Sequence, residues 1–371
     1  MKGLQVWADA LCRSEMSLYE WLAKSFDVPL RILCENPGTE RFKLGWDPNE
    51  YAHLDIVQSG RTFSERVVQL EEHGDWAQWF DSYQNHELNR RLMVYAKKKR
   101  CLVGVGSEAP TNGIRPSIRR AIKESSLFWR LVARRCREAI DAASFVVNYS
   151  GDETSGLLRN GWSADKIIPF GYYPPPMTGS TYRRRELKDW QEFSILVTGV
   201  MDWRRGQDDV ITAISVLKRM GYSPHVIMTQ KGELYSGIEK RVREEHLNVE
   251  LVGFAEYEDL LRYHSECSVY VASGRREPWG MRINDALNAG SPLVVSRGMG
   301  GIKLVNDYGC GRSYYAGDAL DLAWQLKSLM DSSESYLSTV EGVSRAVTEC
   351  SPKAKAQWLA KIIRERFPEW R

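Results

Sequence analysis

The sequence predicts an α/β protein of two domains, each a parallel sheet wrapped by helices, and three observations predict it. Short apolar runs rich in β-branched residues alternate along the whole chain with stretches of helical period, which is the pattern of strands joined by crossover helices. That alternation starts afresh after Tyr172 to Thr181, where Pro174, Pro175 and Pro176 make a stiff, extended connector. A chain of 371 residues has room for two domains of ordinary size, each with its own core.

The elements of the first half follow in order. Leu4 to Ala8 makes a first strand, Met16, Leu18, Tyr19, Leu22 and Phe26 share a helical face, and Pro29 to Cys34 makes a second strand. This is the opening βαβ of a Rossmann-like domain. Tyr51 to Tyr83 is aromatic and mixed, with strands near Leu54 to Gln58 and Ala77 to Phe80. Glu87 to Lys99 is a helix whose cationic end suits its negative pole. From Cys101 a strand dissolves into small residues and an acid, Ser107-Glu108. Ala142 to Ser150 and Ile167 to Gly171 complete the domain.

Charge is unevenly spread. The net charge is only +3, yet Arg90 to Arg137 holds fourteen Lys or Arg against two Asp or Glu. Within 114–137 the cations alternate with Ile118, Ile122, Leu127, Phe128, Trp129 and Val132. Three readings fit: a helix on an anionic membrane surface, a nucleic-acid-binding surface, or an amphipathic helix packed on the sheet. The seven cysteines form no Cys-x2-Cys pair, and there is no His-Glu-x2-His, Walker loop or Asp-x-Asp pair. The expectation is a reduced, cytoplasmic, metal-independent protein, with no export signal because Asp9 breaks the opening apolar run.

The second half begins with a strand at Phe193 to Thr198, then Gly199 to Gly206 and a helix from Asp208 to Met220. Strands follow at His225 to Thr229, with a turn at Lys231-Gly232, and at Val249 to Gly253, then a helix at Glu256 to Ser265. The most informative stretch is Tyr270 to Gly301: a buried strand, a loop with Glu277-Pro278-Trp279-Gly280, and a helix from Ile283 to Ala289 that carries Asp285 in its first turns and stops at Gly290. A strand, loop and helix with a glycine at the turn is a natural seat for phosphate, and the two acids can accept hydroxyls of a sugar and a ribose. Equally, acids are favoured in a first helical turn without any ligand. Pro292 to Ser296 is a further strand, and Asp318 to Met330 and Lys353 to Phe367 are amphipathic helices.

The spacing acid-Pro-aromatic-Gly, four residues, acid-Ala resembles the E-x7-E element of the retaining glycosyltransferase family 4 enzymes of bacterial polysaccharide assembly. That resemblance implies the GT-B fold, two Rossmann-like domains facing each other across a cleft. Residue by residue it implies that Glu277 holds donor-sugar hydroxyls, that the backbone from Gly280 through Met281 to Arg282 holds phosphates, and that Asp285, where the family usually has Glu, holds the ribose. Trp279, between the two, is a further candidate donor-binding residue. Arg205-Gly206 resembles the end of the family's G-R-L-x3-K-G segment, so Arg205 is the implied diphosphate ligand. Val200 replaces the family's first cation there, with Arg204 or Arg282 as candidate substitutes. Gly232 resembles the glycine turn near the nucleotide. Glu108 resembles the acid that some branches carry where others have a catalytic histidine. The loop Asp9 to Cys12 lacks the family's glycine pair, and no function attaches to it.

Together these imply domains at 1–172 and 191–350, a linker at 173–190, and a helix at 351–371 that crosses back to the first domain. The implied activity moves a hexose from a UDP- or GDP-linked donor to a glycan hydroxyl with retention, with no cofactor and no metal. Glu277, Glu108 and Arg205 are the candidate catalytic residues. The expected partners are that donor, a lipid-linked glycan acceptor and, through 114–137, the inner face of the cytoplasmic membrane, with lipopolysaccharide, capsule or O-antigen as product. A nucleotide-sugar-binding scaffold without turnover and a nucleic-acid binder using 90–137 are the alternatives.

Overall fold

In the computed structural model, which describes residues 1–36, 48–109, 126–186 and 192–368, the chain divides into two compact units. Among these residues the chain up to Pro175, together with the stretch from Cys350, forms unit 1, and Pro176–Glu349 forms unit 2.

Unit 1 contains β1 (Leu4–Ala10), α1 (Arg13–Phe26), β2 (Leu30–Asn36), β3 (Asp55–Gln58), α2 (Phe63–Glu71), β4 (Ala77–Phe80), α3 (Glu87–Lys98) and β5 (Val103–Ser107). It continues with α4 (Ser126–Ala142), β6 (Phe145–Asn148), α5 (Ser155–Arg159) and β7 (Ile167–Pro169). The strands form one parallel sheet ordered β3-β2-β1-β4-β5-β6-β7. All four residues of β4 and of β6 are buried, as expected for parallel strands covered on both faces.

The aromatic stretch from Tyr51 to Tyr83 holds a helix, α2, between the two expected strands. Its start is a capping box: Glu65 N donates to Thr62 Oγ1 at 3.3 Å and Thr62 N to Glu65 Oε2 at 3.2 Å. Val68 on α2 faces solvent while Leu70 is buried, so one face suffices to hold it.

Unit 2 contains β8 (Ser194–Val197), α6 (Gln207–Arg219), β9 (His225–Thr229), α7 (Tyr235–Glu244), β10 (Val249–Gly253), α8 (Tyr257–Glu266) and β11 (Val269–Ala272). Then come α9 (Arg282–Asn288), β12 (Leu293–Ser296), α10 (Ile302–Tyr308), β13 (Gly311–Tyr314), α11 (Ala319–Asp331) and α12 (Ser333–Glu349). The parallel sheet runs β10-β9-β8-β11-β12-β13. Its core joins Ile195, Val197, Val269 and Val271 from the strands to Val210, Ile214 and Leu217 of α6 and Leu322, Leu326 and Leu329 of α11. The final helix, α13 (Pro352–Arg366), packs on α1 in unit 1.

The segment anticipated as a linker, 173–190, is part of unit 2 from Pro176 onward as far as it is described. Its buried Arg185 donates to Cys267 O at 2.7 Å, Ser291 Oγ at 2.8 Å, Ala289 O at 3.2 Å and His264 O, so the guanidinium is a staple. Of the basic segment 114–137, residues 114–125 lie outside the described residues. In α4, Cys136, Ala139 and Ile140 are buried and Arg130, Arg134, Arg135 and Arg137 are exposed.

The capping box gives a test. Thr62→Ala should destabilise the chain by about 1 kcal/mol in urea unfolding, and Thr62→Ser should restore most of that loss.

Candidate functional site

In unit 2 the chain passes from β8 to β9 and β10 on one side, then returns to place β11 on the other side of β8. The loops leaving β8 and β11 therefore part in opposite directions, and the crevice beyond their carboxyl ends is where open α/β sheets take ligands. Arg205 comes from the first loop and Glu277 from the second.

The two loops are lashed together. Gly206 has φ 66°, and a Cβ there would lie 2.3 Å from Ser273 O, so only glycine lets the loops approach so closely. Arg275 N donates to Arg204 O at 2.9 Å and Ser273 Oγ to Arg205 O at 2.7 Å. The half-buried Arg275 guanidinium donates to Trp203 O at 2.9 Å and pairs with Asp208 at 2.9 Å and Asp209 at 2.5 Å. Asp202 Oδ1 accepts from Arg205 N at 2.8 Å. On its other flank, Glu277 N donates to Gly298 O at 2.9 Å and Gly300 N to Glu277 O at 3.1 Å.

These restraints bring Arg205 Nη1 within 2.6 Å of Glu277 Oε1. Glu277 is only 9% exposed, and among the described residues its second oxygen, Oε2, is buried without a hydrogen-bond partner, as is Arg205 Nε. Burial pushes the Glu277 carboxyl above its ordinary value, while Arg205 and Arg204 pull it back. Each member of the pair thus keeps an unused bonding position. A guanidinium forks onto phosphate oxygens, and a carboxylate accepts from hydroxyls.

The other expected residues divide. Gly280, with φ 96°, packs so closely that a Cβ would lie 2.3 Å from Met299 Cε, and half-buried Met281 caps α9. Asp285 stands in the first turn of α9 and pairs with Arg282 at 3.2 Å. Trp279, an expected donor contact, is 1% exposed, its side chain packed in the core. Gly232 packs behind the first loop, where a Cβ would lie 2.4 Å from Met201 O. Arg204 is half-buried and its carbonyl is held by Arg275. Val200, standing in the expected cation position, is 45% exposed. Glu108 belongs to unit 1, directly after β5. Arg275 is a structural support that the sequence reading did not single out.

Unit 1 reverses its strand order in the same way, with β1 between β2 and β4. Asp9 of β1 and Glu35 of β2 flank His86, whose Nε2 lies 3.2 Å from Asp9 Oδ1 and whose Nδ1 lies 3.4 Å from Glu35 Oε1. The hydrogen bond to Asp9 raises the His86 pKa against the effect of burial. Among the described residues this trio is the group with metal-ligand spacing, its ligand atoms lying within 4.8 Å of one another.

Against known proteins, residues 180–343 match the family described as glycosyl transferases group 1. No curated protein sequence matches the chain. Among solved structures, Anabaena Alr3699/HepE in complex with UDP aligns at a TM-score of 0.70 and 14% identity, covering 98% of this chain and 100% of that one. A glycosyltransferase from Rickettsia africae aligns at 0.67 and 12% identity, covering 99% of both chains. The lipopolysaccharide outer core galactosyltransferase WaaB, in its apo form, aligns at 0.63 and 12% identity over 98% of this chain and 100% of that one. The two parallel-sheet domains are those of the GT-B glycosyltransferase fold.

Arg205→Met would leave Glu277 buried without its counter-charge and raise its carboxyl pKa further. A carboxyl raised in the folded state weakens folding once ionised, so stability is lost as pH rises from the unfolded value of about 4.3 through the folded one. Urea unfolding should show the variant's penalty growing by about 1–2 kcal/mol between acid and mildly alkaline pH, and adding Glu277→Gln should abolish that growth.

Proposed function

We propose that this chain is a retaining, metal-independent glycosyltransferase that moves a hexose from a nucleoside diphosphate sugar to a glycan hydroxyl in bacterial cell-surface polysaccharide assembly. The observation that carries the reading is the Arg205–Glu277 pair at the strand reversal of unit 2, with Glu277 Oε2 and Arg205 Nε both buried and, among the described residues, unpartnered. A sugar diphosphate presents an anion and a hydroxyl rim together, the complement of that pair.

In this reading Arg205 and the amides of Gly280, Met281 and Arg282 take the diphosphate, with Arg204 adding positive charge. Glu277 accepts donor-sugar hydroxyls and Asp285, turned from Arg282, accepts the ribose. The developing charge on the leaving diphosphate is met by groups already fixed in place, the largest source of rate in such chemistry. A diphosphate oxygen takes the acceptor proton on the face it leaves, which keeps the anomeric configuration. Glu108 positions the acceptor in unit 1. UDP is the first base to test, because the similar Anabaena protein holds it; GDP is the second.

The exposed arginines of α4 support a peripheral seat on the cytoplasmic membrane, where a lipid-linked acceptor would be met. One observation favours the scaffold reading instead: Val200 stands exposed where a diphosphate ligand is expected. Nucleotide-sugar binding without turnover on any glycan would decide for it.

Arg205→Ala and Glu277→Ala should each lower transfer by on the order of a hundredfold, the cost of losing a fixed charge partner. Near-normal turnover by either variant sinks the mechanism. A thermal-shift panel of UDP, GDP, ADP and their sugars should raise the melting point only for the cognate base. Co-sedimentation with vesicles containing anionic lipid should fall steeply with salt, and more steeply in wild type than after Arg130, Arg134, Arg135 and Arg137 are changed to Gln; equal retention by neutral vesicles would count against the membrane seat.

A further inference from the structure

Helix α11 is apolar over more of its surface than packing on a sheet requires. Leu322, Leu326 and Leu329 enter the core of unit 2, yet Leu320 and Trp324, one turn apart on the opposite side, are 60% and 57% exposed. Tyr315, directly after β13, is 62% exposed. Its backbone is tied to the start of α11: Tyr315 N donates to Asp321 Oδ2 at 2.9 Å, and Asp318 N donates to Tyr315 O at 2.9 Å. Three large apolar side chains thus lie along one stretch of the unit 2 surface.

The rings on this face are braced. The Arg297 guanidinium lies 4.1 Å from the centre of the Tyr315 ring. The Lys327 ammonium lies 5.8 Å from the centre of Trp324 and 5.3 Å from that of half-buried Tyr222. Lys327 also pairs with Asp331, which accepts from the Tyr222 hydroxyl at 2.6 Å. Asp318 caps α11, accepting from Leu320 N at 3.0 Å and Asp321 N at 2.9 Å.

Three features narrow what covers such a face. Its charges alternate in sign, Arg297 and Lys327 standing among Asp318, Asp321 and Asp331, so an anionic membrane or a nucleic acid meets no matching field. Three side chains exposed to about this degree offer on the order of 400 Å² of apolar surface, roughly half of what each partner in a stable dimer buries. The face is also continuous with the candidate site: Arg297 N donates to Tyr314 O at 2.8 Å, and Gly298 O, one residue on, accepts from Glu277 N at 2.9 Å.

We propose that this face holds a neutral glycan chain by stacking its sugar rings on Tyr315 and Trp324, a second carbohydrate-binding site of unit 2 beside the crevice. The choice of a glycan rests on the transferase reading above and extends it to the length of chain beyond the reacting sugar. One face of a pyranose is a plane of C–H bonds that suits an aromatic ring, while its hydroxyls suit the polar groups that frame these rings. A neutral chain also leaves the surrounding ion pairs intact, whereas a charged one must compete with them.

The test is binding of the full chain, immobilised and without donor, to a dextran, a mannan and a galactan, beside a polyuronate and vesicles containing anionic lipid. At least one neutral polymer should bind, and Tyr315→Ala and Trp324→Ala should each weaken it about tenfold, as loss of a stacked ring does. Trp324→Phe should keep most of the binding, and Val68→Ala, which trims an equally exposed side chain in unit 1, should change nothing. Each variant alters an exposed position and should keep the wild-type circular dichroism. The proposal is overturned if no neutral polymer binds, or if binding survives both alanine variants. It is overturned too if the polyuronate or the vesicles bind more tightly than every neutral polymer, or if sedimentation shows a dimer that Trp324→Ala dissociates. A chain that binds these polymers through its rings but no nucleotide sugar strikes the transferase reading and leaves this site standing; one that binds a nucleotide sugar and no polymer does the reverse.

Discussion

The reversal of strand order beside the first strand of a sheet is the constraint on which the candidate site of unit 2 depends. Parallel strands buried on both faces offer no polar surface along their length, because helices cover them. Only the carboxyl ends remain available, and only at a reversal do successive loops separate and leave room. Unit 2 places a cation and an acid there, Arg205 and Glu277, on loops from adjacent strands. Unit 1 fills the equivalent place with acids. One architecture thus sets different charges at its two reversals, and the difference lies in the side chains that the strand ends and the loops beyond them place there.

What holds the unit 2 site in shape is a set of contacts that no ligand needs to touch. Arg275 joins the second loop to the first turn of α6 through Asp208 and Asp209, and it also fixes the carbonyl of Trp203. Burial pushes Asp209 up and Arg275 draws it down, so this support is itself a partly buried ion pair. Gly206 and Gly280 lie where a single added carbon would strike Ser273 O and Met299 Cε. A site so supported spends little of its binding energy on reordering loops.

Much of this was legible in the sequence, and the failures have physical causes. The strands of unit 2 are short, β-branched and bounded by glycine, so period and punctuation located them closely. Glu277 was legible because Pro-Trp-Gly follows it at once. Arg275 was not, since its partners Asp208 and Asp209 lie 67 and 66 residues away and no local spacing announces a long-range ion pair. Helix α2 was hidden by aromatic residues that favour strands, although Thr62 and Glu65 carried its capping signal. The depth at which Trp279 packs was not legible from its place in the motif, since a large ring beside a buried strand gains by entering the core. Asp9 was set aside for lack of a glycine pair, and its meaning emerges only when β2 and β4 are seen on either side of it.

The Arg205–Glu277 contact also sets terms for whatever enters. The two groups satisfy each other in part. An anion that claims the guanidinium alone would strand a carboxylate in a poorly solvated place, and a neutral polyol that claims the carboxylate alone would strand the arginine. Either half-match forfeits what it gains. On the proposed reading, a molecule that meets both groups together gains more from this crevice than free phosphate or free sugar does.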